Sequence, residues 1–140
     1  SVATPTPLPT PPPVVTPPAL PAPAAVAERE PNDAFAKAQV LSAVPARVQA
    51  KPATTADVDH FKLGVPAGKV LAVTLTEGSA SGFGLTLFDA SGRALMVIPG
   101  SLGAQITLTV RNPGAQPVNL VLKVSRNKGA AGNYQLAMSY

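Results

Sequence analysis

The chain has no Cys and no Trp, and its 140 residues include a single His, His60. The missing thiols exclude disulfide scaffolds, Cys-based zinc sites, Fe–S clusters and thiol nucleophiles together. One imidazole excludes multi-histidine metal sites. Aromatic residues amount to 4%, too few for a surface that stacks sugars or bases. No apolar run approaches the roughly 18 residues of a membrane span. What the chain does have is hydrophobic residues, 46%, and 17 prolines. The first can build a core, and the length suits one domain with an appended segment.

The prolines divide the chain. Ten of the 17 lie in residues 1–27, which contain no Asp, Glu, Lys or Arg. Fixed φ and missing N–H groups are expected to exclude helix and sheet there and to favour polyproline II. Fully extended, such a segment reaches roughly 80 Å. Residues 1–27 therefore read as a proline-rich linker or docking strap toward a protein partner or an attached secreted domain. Within it, Pro9-Thr10-Pro11-Pro12 satisfies P-x-x-P. The first residue is Ser, and no signal peptide is visible; the chain reads as a processed product or a fragment, with any export signal expected upstream.

All charge belongs to residues 28–140, whose net value is +4. The basic residues are scattered; Arg111, Lys123, Arg126 and Lys128 could share a face, but no aromatics interleave with them. This pattern reads as solvated surface, not as a nucleic-acid interface.

Alternation at period two dominates from residue 58 onward. Leu71, Val73 and Leu75 face one way and Val70, Ala72, Thr74 and Thr76 the other. The same holds for Leu85 and Leu87, for Ile106, Leu108 and Val110, for Leu120, Leu122 and Val124, and for Tyr134 to Tyr140. Shorter candidates are Arg47–Ala50, Val58–Leu63 and Arg93–Ile98. Turn clusters at Pro66-Ala67-Gly68, Asp89-Ala90-Ser91-Gly92, Asn112-Pro113-Gly114 and residues 129–133 punctuate them. Asp33–Leu41 alone suggests a helical turn, capped by Asn32 or Asp33. Residues 28–140 are thus expected to form an all-β domain, an antiparallel sandwich or jelly roll of about eight strands.

Catalytic patterns fail in turn. Gly78-Ser79-Ala80-Ser81-Gly82 has Ala at the centre of the would-be nucleophile elbow. Ser125-Arg126-Asn127-Lys128 matches S-x-x-K without its companion motifs and is expected in a turn. Gly82 and Gly84 lack the third Gly and the βαβ setting of a dinucleotide loop. His60 reads as an exposed or partly satisfied strand residue. The domain is expected to be non-enzymatic.

The carboxylates carry more. Glu28, Glu30 and Asp33 crowd into Glu28-Arg29-Glu30-Pro31-Asn32-Asp33, at the seam between strap and domain. Asp57 and Asp59 sit two apart on one face of the strand entering Phe61. Hard oxygen donors at short spacing suit Ca²⁺, which takes six to eight oxygens in flexible geometry. The bland alternative is a capped turn with solvated neighbours.

Four motifs occur in order: Glu30-Pro31-Asn32-Asp33, Asp57-Val58-Asp59-His60-Phe61, Leu85-Thr86-Leu87-Phe88-Asp89-Ala90-Ser91-Gly92, and Gly132-Asn133-Tyr134-Gln135-Leu136. Together they resemble the bacterial pre-peptidase C-terminal domain family and its E-P-N-D, D-x-D-x-F, L-x-L-[YF]-D-x-x-G and G-x-Y-x-L pattern. The resemblance implies a β-sandwich appended to secreted proteins, commonly peptidases, and is similar to the collagen-binding domains of clostridial collagenases. In those domains calcium binds between the N-terminal linker and an early loop. Carried over, that site implies Glu28, Glu30, Asn32, Asp33 and Asp59 as ligands, with Asp57 standing in for a carboxylate absent at Ala56. The aromatics of a collagen-binding surface are replaced here by Leu120, Val121, Leu122 and Val124.

The expected function is a non-catalytic accessory or binding module of a secreted, periplasmic or cell-surface bacterial protein, with calcium at the linker–domain junction. The alternative is a structural subunit of an envelope or extracellular assembly, docking through residues 1–27. A carbohydrate or matrix-polymer partner would need an aromatic platform, for which Phe83 is the only loop aromatic and reads better as a core plug.

Overall fold

A computed structural model of the chain describes residues 3–13, 24–52, 54, 56–78, 80–130 and 132–140. Of the segment read as a strap, residues 3–13 are exposed and belong to no strand. Its remaining positions before Ala24 lie outside the described residues.

Ten strands follow, in chain order: β1 (Ala24–Ala27), β2 (Gln39–Val40), β3 (Ala46–Ala50), β4 (Val58–Val65), β5 (Val70–Glu77), β6 (Ser81–Asp89), β7 (Ala94–Ile98), β8 (Ile106–Arg111), β9 (Val118–Gly129) and β10 (Tyr134–Ser139). They form two five-stranded sheets, ordered β1-β3-β10-β5-β8 and β2-β4-β9-β6-β7. The alternation expected for β5, β8 and β10 is the alternation observed: Leu71, Val73, Leu75, Ile106, Leu108, Tyr134, Leu136 and Met138 all point into the core. Facing them from the second sheet are Phe61, Leu63, Val65, Phe83, Leu85, Leu87, Leu120, Leu122 and Val124. Facing faces of this kind bury side chains in a layer about 10 Å thick. Burial of each such side chain contributes about 1.5–3 kcal/mol, which makes the domain independent of disulfides.

Four expectations are corrected. First, the sheets are mixed: β1 pairs parallel to β3 and β2 parallel to β4, while every other pairing is antiparallel. The chain crosses from one sheet to the other between successive members of β1, β2, β3 and β4, so each returns in its predecessor's direction. Second, sheet begins inside the segment expected to exclude it. Ala24-Ala25-Val26-Ala27 has no proline, so its N–H groups are free to pair, and Ala24 N–H donates to the Pro45 carbonyl at 3.0 Å. Third, the helical turn shrinks to a 3-10 turn at Phe35–Lys37, with Ala34 before it and no side-chain cap. Asn32 is committed elsewhere, as shown below. Fourth, Ser125–Lys128 lies within β9, not in a turn.

Phe83 is in the core, its ring centroid 5.0 Å from that of Tyr134. It offers no face to a sugar. Among the described residues no helix is long and apolar enough to cross a membrane.

Candidate metal centre

The site grows from the end of β1. Glu28 N–H donates to the Gln49 carbonyl at 3.2 Å, which fixes the chain against β3 as it leaves the strand. One residue on, Gln39 clamps the seam from β2: its Oε1 accepts from Arg29 N–H at 2.8 Å and its Nε2 donates to the Ala27 carbonyl at 2.9 Å. The next residues fold over the start of β4. There the Asn32 carbonyl accepts two hydrogen bonds from His60, from the backbone N–H and from Nδ1, each at 3.0 Å. A carbonyl oxygen only accepts, so Nδ1 carries a proton and acts as the donor. Burial lowers the His60 pKa, in keeping with a neutral ring. His60 is therefore buried and committed, not exposed, and it docks the linker onto β4.

This docking brings all six predicted ligands into one cluster. Single carboxylate oxygens of Glu28, Glu30 and Asp59 lie within 4.8 Å of one another, and so do those of Glu30, Asp33 and Asp57. Glu30 joins the two groups. Asn32, fully buried, donates from Nδ2 to Glu28 Oε1 at 3.2 Å and from its backbone N–H to Glu30 Oε2 at 3.1 Å. Ala56 lies beside them in a turn and its methyl carries no donor; the neighbouring Asp57 supplies the carboxylate on that side.

Two oxygens of this cluster are buried without a hydrogen-bond partner, Asn32 Oδ1 and Asp59 Oδ1. An unpaired buried acceptor costs about 1–3 kcal/mol, more when it is charged. The other Asp59 oxygen, Oδ2, accepts from the Tyr134 hydroxyl on β10. Burial pushes the Asp59 carboxyl up to about 6, against the Tyr134 hydrogen bond, and Asp57, Glu30 and Asp33 add to the rise. Glu28 is pushed up to about 7 by burial, then by Asp59 and Glu30. Burial and the Asp59 charge hold the Tyr134 hydroxyl firmly protonated. Glu28 and Asp59 are thus held back from ionising, and the cluster contains two buried oxygens without a donor. This donor set fits a hard divalent cation, with Glu28, Glu30, Asp33, Asp57, Asp59 and the Asn32 amide oxygen able to hold it.

Tyr134 and His60 escaped the sequence reading as site residues. Tyr134 sits in the final G-x-Y motif, the one signal pointing to it. Of the remaining candidates, Ser79 lies outside the described residues, Ser125 and Lys128 sit on β9, where Ser125 pairs with Val58, and His60 Nδ1 is committed to the Asn32 carbonyl.

No protein-family model matches the sequence. No curated protein matches it. Among solved structures, the pre-peptidase C-terminal domain of collagenase from Bacillus anthracis is similar at 14% identity and a TM-score of 0.59, covering 80% of this chain and 100% of that one. A β-glucosidase from Paenibacillus barengoltzii aligns at 15% identity over 81% of this chain and 13% of that one, with a TM-score of 0.36, too low to carry meaning. The sandwich expected from the four ordered motifs is the one observed, and the chain has the fold of the collagenase pre-peptidase C-terminal domain.

Proposed function

We propose that the chain is a non-catalytic accessory module of a secreted or surface-exposed bacterial protein, and that a calcium ion locks its linker to the sandwich. The observation that carries the calcium reading is the pair of orphaned buried oxygens, Asn32 Oδ1 and Asp59 Oδ1, among carboxylates from both sides of the junction. When bound, the ion supplies the positive charge that lets Glu28 and Asp59 ionise side by side. The protein's own residues supply the frame: His60 and Gln39 pin the linker, and Tyr134 orients Asp59. The accessory role is supported by the fold, which is that of a collagenase pre-peptidase C-terminal domain.

Calcium titration by calorimetry, paired with melting curves in calcium and in chelator, tests this. Binding at micromolar to millimolar strength is expected, with about 2.7 kcal/mol of added stability at 100 times Kd. No heat and no change in melting would remove the ion from the reading and leave the cluster as a capped turn.

A further inference from the structure

Residues 4–11 read Thr-Pro-Thr-Pro-Leu-Pro-Thr-Pro, a strict alternation that ends at Pro12. In an extended chain, residues two apart present their N–H and C=O groups to the same edge and their side chains to the same face. Thr4, Thr6, Leu8 and Thr10 therefore place four N–H donors along one edge. Pro5, Pro7, Pro9 and Pro11 leave the opposite edge with none. Proline is accepted in a sheet where its donor-less side faces solvent. The segment is thus built to pair with a sheet on one side and to refuse a further strand on the other. Residues 3–13 are exposed and belong to no strand among the described residues, and Leu8, the one large apolar side chain among them, is 92% exposed.

The sandwich has an edge that fits. β7 ends its sheet, and its sequence Ala94-Leu95-Met96-Val97-Ile98 is wholly apolar, with none of the charges or prolines that usually guard an edge. Val97 is 66% exposed and Leu95 48%. At its Leu95 end, where the β6–β7 turn meets the loop after β8, opens a groove of about 580 Å³ lined by Leu95, Val65, Val110, Val118 and Leu120, with Asp89, Arg111 and Asn112 at its polar side. The β8 edge is the poorer acceptor, alternating Thr107 and Thr109 and closing on Arg111.

We propose that residues 4–10 of one copy add as a strand to the β7 edge of a second copy, with the Thr4, Thr6, Leu8 and Thr10 edge bonded to β7 and Leu8 seated in the groove beside Leu95. Main-chain hydrogen bonds supply the attraction and Leu8 the register. So short a strand buries less than roughly 1,000 Å², so the association is weak and concentration-dependent.

The full chain is to be followed by sedimentation velocity from micromolar to millimolar concentration, together with amide exchange. Self-association is expected, with Thr6 and Leu8 amides protected only in the associated form. Thr6→Pro removes a donor from the pairing edge and should weaken association by about tenfold or more, whereas Thr6→Ala should leave it unchanged. Val97→Lys should weaken it to a similar degree, its fold checked by melting. Mixing the two weakened variants decides the arrangement. Thr6→Pro keeps an intact β7 and Val97→Lys an intact strap, so the mixture should associate where neither does alone. A monomer at all concentrations, association indifferent to Thr6→Pro, protection of the strap amides in the monomer, or no rescue in the mixture would each overturn the proposal.

Discussion

In chelator, the domain should be more stable at pH 5 than at pH 7.5, the reverse of most carboxylate-rich proteins. Asp59 is held at about 6 in the folded chain against an ordinary 3.8. A folded pKa above the unfolded one means that the native state binds the proton more tightly. Its contribution is complete below the unfolded value and is lost as pH rises through about 6. The full displacement corresponds to about 3 kcal/mol; solvent on the open side of the cluster reduces this to about 1–2 kcal/mol. Glu28, half-buried and pushed up to about 7, acts in the same direction one step higher in pH. For a domain of this size the loss amounts to roughly 5 °C in melting temperature. Saturating calcium should abolish or invert the slope, because the ion favours the ionised carboxylates. Asp59→Asn isolates the cause. It removes the charge, keeps an acceptor for Tyr134 and gives Glu28 a donor, so in chelator at pH 7.5 it should melt above the parent while losing the calcium response. Melting followed by circular dichroism between pH 4.5 and 8 reads all of this. A melting temperature that rises from pH 5 to 7.5 in chelator, or an Asp59→Asn variant less stable than the parent there, would refute the reasoning.

Tyr134→Phe leaves Asp59 with both oxygens buried and unbonded, and should destabilise the domain by about 1–3 kcal/mol in chemical denaturation and drive the Asp59 pKa further up. Phe83→Ala opens a core cavity against Tyr134 and should cost about 3–5 kcal/mol, read in the same assay. Gly100→Ala sets a methyl 2.5 Å from the Phe83 carbonyl carbon, a contact with backbone that cannot rotate away; a melting temperature within 1–2 °C of the parent (about 0.5 kcal/mol) would show that the loop yields freely.

Legibility in the sequence tracked solvent exposure of one sheet face. β5, β8 and β10 alternate cleanly because their outer faces meet water. β6 begins at Ser81, four residues before its expected start, since Gly82 and Gly84 look like turn residues; there they permit close approach to Ser101 and Gly100. β9 runs on through Ser125–Gly129, where polar residues hide the period and a register shift opposite Gly82 and Phe83 disturbs the pairing. β1 and β2, with 4 and 2 residues, are too short to show any period. The acidic cluster was legible because carboxylates are scarce in this chain and crowd together. Their supports were not: Tyr134 meets Asp59 across 75 residues and His60 meets Asn32 across 28. Such partners are set by strand register, which no local pattern encodes.

The parallel pairing of β1 with β3 also gives the junction a mechanical polarity. Ala24 pairs with Ala46 at one end of the ladder and Ala27 with Gln49 at the other, beside Glu28. A sideways pull transmitted through the strap opens this ladder as a zipper, rung by rung from Ala24, and reaches the carboxylate cluster last. Early rungs open under load whatever the ionic state of the cluster. The final release would tear the linker off β4, and under the proposed calcium lock it is the step whose resistance would depend on the cation in the surrounding fluid.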